Sequence, residues 1–152
     1  MSLDGQSDDT IRAILTGTTR IALVGASTKP HRPSHGVMRF LLDRGFDVTP
    51  VNPGIAGQSI HDQTVVERLD GAAPLEMVDV FRNSAHVAPV VDAAIRLGAK
   101  VIWMQLGVID QTAAERARQA GIIVVMDRCP VIEERRLGLT IGPRTAGPPS
   151  RH

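Results

Sequence analysis

Short, nearly continuous apolar runs separated by amphipathic stretches constrain this chain more than any other feature. The runs are RIALVGAS (20–27), DVTPVNP (47–53), EMVDVFR (76–82), KVIWMQLGV (100–108) and IIVVM (122–126). Each is rich in β-branched and aliphatic residues and is bounded by Gly or Pro, the pattern of a strand buried on both faces. Helical periodicity fills the gaps. Over 7–16, Ser7 caps, Asp8 and Asp9 suit the positive end, and Ile11, Ile14 and Leu15 form the stripe. Over 34–45, Ser34 is the expected N-cap, Val37, Phe40 and Leu41 share a face, and Gly45 fits the position just past the end. A weak helical pattern covers 62–70. A further helix ends near Gly98 and must accommodate Pro89, either in its first turn or behind an irregular turn at 84–88. Asp110 caps a helix that runs to Ala120 and stops at Gly121, and a short helical piece follows at 131–137.

Strands alternating with helices predict a Rossmann-like, doubly wound α/β domain: a five-stranded parallel sheet with helices on both faces. The expected organisation is one domain over 1–137 and a flexible Gly/Pro-rich tail over 138–152. The 152 residues suffice for a single hydrophobic core. No apolar run reaches the ~18–20 residues of a membrane span, and MSLDGQSDDT lacks the apolar centre of a signal peptide. One cysteine, Cys129, excludes an internal disulfide and a multi-cysteine zinc site, and a cytoplasmic location is expected. Lys+Arg 17 against Asp+Glu 16, with 3% aromatic residues, argues against a nucleic-acid binder.

In a doubly wound sheet, ligands sit beyond the carboxyl ends of the strands at the topological switch point. The loops that matter therefore follow Gly25, Val51, Phe81, Gln105 and Met126. The first is the most informative. No acid occurs between Ile21 and Leu42, whereas Lys29, His31, Arg32, His35 and Arg39 are cationic or can become so. Crowding cations at a helix N-terminus, already positive through its free N–H groups, predicts an anion there, a phosphate above all. Pro33 and Ser34 open that helix, and Gly36 lets a phosphate approach the backbone. The residues also narrow the nucleotide. Gly25 is followed by Ser27 and Pro30 where a dinucleotide fingerprint needs glycines, and Val51-Asn52-Pro53 lacks the acid that would hold a ribose. A P-loop and a phospho-receiver site are excluded in the same way. His31 and His35 have no Cys or carboxylate at ligand spacing, so no metal site is expected.

Taken together, GASTKPHRPSHGV, GFDVTPVNP, VDVFR, IWMQLGV and DRCPVIEERRL resemble the small bacterial CoA-binding proteins. That family is related to the CoA-binding domain of the succinyl-CoA synthetase alpha subunit, and the resemblance covers roughly 8–137. It implies coenzyme A, or an acyl-CoA, as the ligand. By that resemblance Gly25-Ala26-Ser27 wraps the CoA diphosphate and Asn52-Pro53-Gly54 meets the nucleotide end. Gln105 and Gly107 meet the pantetheine arm, and Cys129-Pro130 lies near the thiol. The chain departs from the synthetase in its longer Lys-Pro-His-Arg-Pro loop and in Ile55, where the synthetase has a lysine. Arg32 or Arg82 is expected to replace that phosphate contact. The synthetase's phosphorylated histidine belongs to a second domain, so no stand-alone ligase activity is expected.

Phe81 either packs on an adenine or caps the core. Asp79 is expected to be a satisfied structural carboxylate. Cys129 is expected to be a small buried thiol, with thiol exchange with CoA as the alternative role. Glu133, Arg135 and Arg136 are expected in ion pairs. The function expected is a CoA-binding protein without catalytic machinery of its own. The alternative is an NAD(P)-dependent or acyl-CoA-handling enzyme completed by a partner chain. A protein partner or a homo-oligomer is left open.

Overall fold

A computed structural model describes residues 2–143. Five strands, β1 (Arg20–Val24), β2 (Asp47–Val51), β5 (Met77–Val80), β6 (Val101–Met104) and β7 (Ile123–Val125), form one parallel sheet in the order β2-β1-β5-β6-β7. The chain thus starts in the interior of the sheet, steps to one edge, then crosses back to fill the other side. The reversal falls between β1 and β5, and a crevice opens where the connections leave in opposite directions. The expected fold class is the one observed.

Sheet pleating divides the core. On one face Ala22, Val24, Val78, Val80, Ile102, Met104 and Val124 pack against α3 (Val87–Arg96) and α4 (Gln111–Gln119). On the other, Ile21, Leu23, Met77, Trp103 and Val125 pack against α1 (Asp8–Gly17), α2 (Pro33–Asp43) and α5 (Pro130–Leu137). Trp103 is fully buried and donates its indole N–H to the Arg128 carbonyl at 2.8 Å, which removes the cost of an orphaned donor.

Ser7 and Asp110 cap α1 and α4 as expected. At α2 the cap is Arg32 and not Ser34. Pro33 has the fixed φ suited to the first helical position, so the helix begins before Ser34, whose side chain is buried. No helix forms over 62–70. That stretch belongs to a two-residue hairpin, β3 (Ser59–Ile60) with β4 (Gln63–Thr64), and a 3-10 turn, Leu69–Ala72. His61 and Asp62 both take positive φ in its turn, a conformation a helix cannot continue. The Pro89 ambiguity resolves into an irregular 3-10 turn, Ser84–His86, followed directly by α3, with Pro89 in its first turn. Strands also end earlier than the apolar runs: β2 at Val51, β5 at Val80 and β6 at Met104, which frees Asn52, Phe81 and Gln105 for the loops.

The tail begins anchored. Ile141 is buried, the Gly142 N–H donates to the Leu15 carbonyl at 3.0 Å, and the Ile141 N–H donates to Glu134. The rest of the expected tail, 144–152, lies outside the described residues. Among the described residues no helix is long and apolar enough to cross a membrane.

Candidate functional site

The carboxyl edge of the sheet is built around one glycine. Gly25 follows β1 at φ +88, and a Cβ there would fall 2.8 Å from the Phe81 carbonyl carbon and closer still to its oxygen. The loops after β1 and β5 therefore touch backbone to backbone at the switch point, held by Phe81 N–H to the Val24 carbonyl at 2.8 Å. The Gly25 N–H donates to the Val51 carbonyl at 3.0 Å. Asn52 completes the joint: its side-chain amide donates to the Ala26 carbonyl at 2.8 Å, and its side-chain oxygen accepts from the Gly54 N–H at 2.9 Å. Ser27 accepts from the Lys29 N–H at 3.0 Å, turning the loop toward α2. Backbone N–H groups of Ser27 and Thr28 have no protein partner among the described residues.

These joints frame an open cleft of about 640 Å³, a common size for a small-molecule site. Gly25, Ala26, Ser27, Lys29, Arg32, Pro33, Ser34, Asn52, Phe81, Arg82, Gln105 and Cys129 all line it, as the sequence expectation grouped them. Val51 and Pro53 instead line a neighbouring cavity of about 410 Å³, which shares Gly25, Asn52 and Arg82 with the cleft. Gly36 and Gly107 line neither. Gly36 is exposed on α2, and Gly107 occupies a turn at φ +77 where its N–H donates to Asp127 at 2.7 Å. Thr28, Val37, Ile55, Leu106 and Val108 complete the lining. Their signal was weak: Val37 was already assigned to the apolar face of α2, and Leu106 and Val108 read as an extension of β6.

The cleft is chemically graded. At one end Lys29 and Arg32 flank the start of α2, which has no acid in its first turn and no side-chain cap. Neither these two cations nor Arg82 has a carboxylate partner among the described residues. Eight arginines elsewhere are paired with carboxylates, as in the bidentate Arg44–Glu134 pair at 2.7 and 2.8 Å, whereas Arg20, Arg68 and Arg135 have no such partner among the described residues. Free cations gathered at a helix N-terminus favour an anion. His35 adds no charge to this end. Burial, with His61 and Arg39 nearby, holds its pKa below the usual histidine range, and its ring lies 4.3 Å from that of His61. The loops after β6 and β7, on the far side of β5 from β1 in the sheet, contribute Gln105, Leu106, Val108 and Cys129, with no cation among them.

The chain matches the CoA-binding domain family over residues 19–135. It belongs to that family. An uncharacterized Bacillus subtilis protein, YneT, is 34% identical over 120 residues, covering 78% of this chain and 87% of the relative. A hypothetical protein of Pyrococcus horikoshii shares the fold at a TM-score of 0.84 with 40% identity, over 90% of this chain and 96% of its own. A Thermus thermophilus protein does so at 0.81 with 34% identity, over 87% and 99%. The matched region of the CoA-binding family runs from just before β1 into α5 and so contains every loop of the cleft.

Two expectations about single residues need correction. Asp79 is not a satisfied carboxylate: it is fully buried, and neither carboxylate oxygen has a hydrogen-bond partner among the described residues. Burial therefore pushes its pKa well above the ordinary value of 3.8. Arg135 joins no ion pair among the described residues, whereas Glu133 pairs with Arg128 and Arg136, both at 2.9 Å.

Proposed function

We propose that this protein binds coenzyme A in the switch-point cleft and has no reaction of its own. The nucleotide's phosphates lie at the Lys29–Arg32 end, against the start of α2, and the pantetheine arm runs toward Gln105 and Cys129. The observation that carries the reading is the graded cleft: unpaired cations and an uncapped helix N-terminus at one end, a thiol and no cation at the other. Coenzyme A has the same gradient along its length. Membership of the CoA-binding family supports the same ligand. Against an NAD(P)-dependent reading stand the absence of a second glycine after Gly25 and of an acid after β2, where Asn52 and Pro53 stand instead.

Thermal unfolding with CoA and with NAD at equal concentrations tests the proposal. CoA should raise the Tm and NAD should not, with the shift growing as ligand exceeds its Kd. Arg32→Ala should weaken CoA by about 1.5–3 kcal/mol, the value of a charge-assisted hydrogen bond, when measured by calorimetry. Equal stabilisation by NAD would overturn the reading.

A further inference from the structure

The end of the cleft formed by the loops after β6 and β7 contains the chain's single cysteine, which both packs in the core and lines the cleft. Cys129 is 7% exposed, lines the cleft, and stands at the N-cap of the eight-residue helix α5 without making a side-chain capping bond. An independent observation points to a ligand at the same end. Gln105 is 5% exposed and lines the same cleft, yet its Oε1 has no hydrogen-bond partner among the described residues. A buried amide oxygen without a donor is costly, and a ligand N–H would relieve it. At this end an occupant thus meets a buried amide oxygen that lacks a donor, and beside it the protein presents a thiol.

We infer that Cys129 is a thiol–disulfide exchange site for the sulfur end of a ligand whose arm carries amides. The inference rests on the CoA reading. In the step proposed, the Cys129 thiolate, its proton released to solvent, attacks one sulfur of CoA disulfide. The S–S bond of the reagent breaks as the protein–CoA S–S bond forms, and the electron pair leaves on the second CoA as thiolate. One disulfide is consumed and one is made, so no further oxidant is required. With no second cysteine in the chain, the mixed disulfide has no internal resolving thiol and persists until an external thiol reduces it.

Wild-type protein suffices for the test, because any disulfide adduct must be on Cys129. The reduced protein is incubated with CoA disulfide or with glutathione disulfide and followed by intact mass, while reduced CoA binding is measured by calorimetry. The expected result is a single CoA adduct, reversed by dithiothreitol, forming about tenfold or more faster than the glutathione adduct through positioning in the cleft. Arg32→Ala should slow the CoA adduct more than the glutathione adduct. Binding of CoA with no adduct would overturn the exchange role and leave the CoA reading intact. Equal rates with both disulfides together with no CoA binding would overturn both.

Discussion

Replacing Asp79 by asparagine should change how stability depends on pH, and the size of the change follows from the burial of one side chain. Asp79 lies in the centre of the sheet, in register with Leu23 of β1 and Trp103 of β6. It is 0% exposed, and its oxygens accept no hydrogen bond from the described residues. Charging such a group would cost several kcal/mol, so the folded protein keeps the proton. The unfolded chain gives that proton up near the ordinary value of 3.8, whereas burial sets the folded value well above it. The folded state consequently binds one more proton throughout the interval between the two values. A raised folded pKa means the contribution is complete below 3.8 and is lost as pH rises, at about 1.4 kcal/mol per pH unit, until the folded value is passed. Asparagine has the same shape and does not titrate. In urea unfolding, the stability of the wild type relative to Asp79→Asn should therefore fall as pH rises above 3.8, by about 1.4 kcal/mol for each pH unit short of the folded value. For a chain of this length that is about 3–6 °C in Tm. Asp4, Asp8 and Glu134, whose carboxyls hydrogen bonds hold below the usual range, act with the opposite sign but cancel in the difference. A difference that does not fall as pH rises above 3.8 would refute the reasoning.

Two further contrasts probe the frame of the cleft. Gly25→Ala should destabilise the fold by roughly 2–4 kcal/mol, since the new Cβ overlaps the Phe81 carbonyl at a left-handed φ. Gly36→Ala, on the exposed face of α2 with open space around it, should stabilise by about 0.5–1 kcal/mol in the same denaturation assay. Arg128→Ala should cost about 3–5 kcal/mol, because it leaves Asp4 buried without its cation and takes one of two from Glu133, which keeps Arg136, and a Tm within 2 °C of the wild type, measured by calorimetry, would contradict this.

How much of this was legible in the sequence depended on the range of the forces involved. The five strands were readable because burial on both faces leaves an uninterrupted apolar run, and the caps of α1 and α4 because Ser7 and Asp110 act on residues three positions away. The cationic start of α2 was readable for the same local reason. The hairpin was not, since its His61–Asp62 turn lacks the Asn-Gly or Asp-Gly signal, and Ile60 and Val65 find their core only in three dimensions. Nor was the bare carboxylate at Asp79: nothing in EMVDVFR says whether a donor reaches it from another element. Within the site, residues adjacent to strand ends were found, while Leu106 and Val108 were hidden inside what read as a longer strand.

Asp4 accepts hydrogen bonds from the Met126 N–H and from the Arg128 guanidinium, both at 2.9 Å, and Gln6 donates to the Val124 carbonyl. These partners are 118 to 124 residues away in the chain. At about 5–20 residues per second of synthesis, Asp4 emerges roughly 6–25 s before Arg128 exists. The segment around Asp4 and Gln6 can dock only once its partners on the edge strand β7 and in the loop that carries Cys129 have been made. Where such a closure follows the main folding barrier, damage to it speeds unfolding and leaves the folding rate nearly unchanged. The loop that carries Cys129 is thus tied down by a clasp between residues 118 to 124 positions apart in the chain.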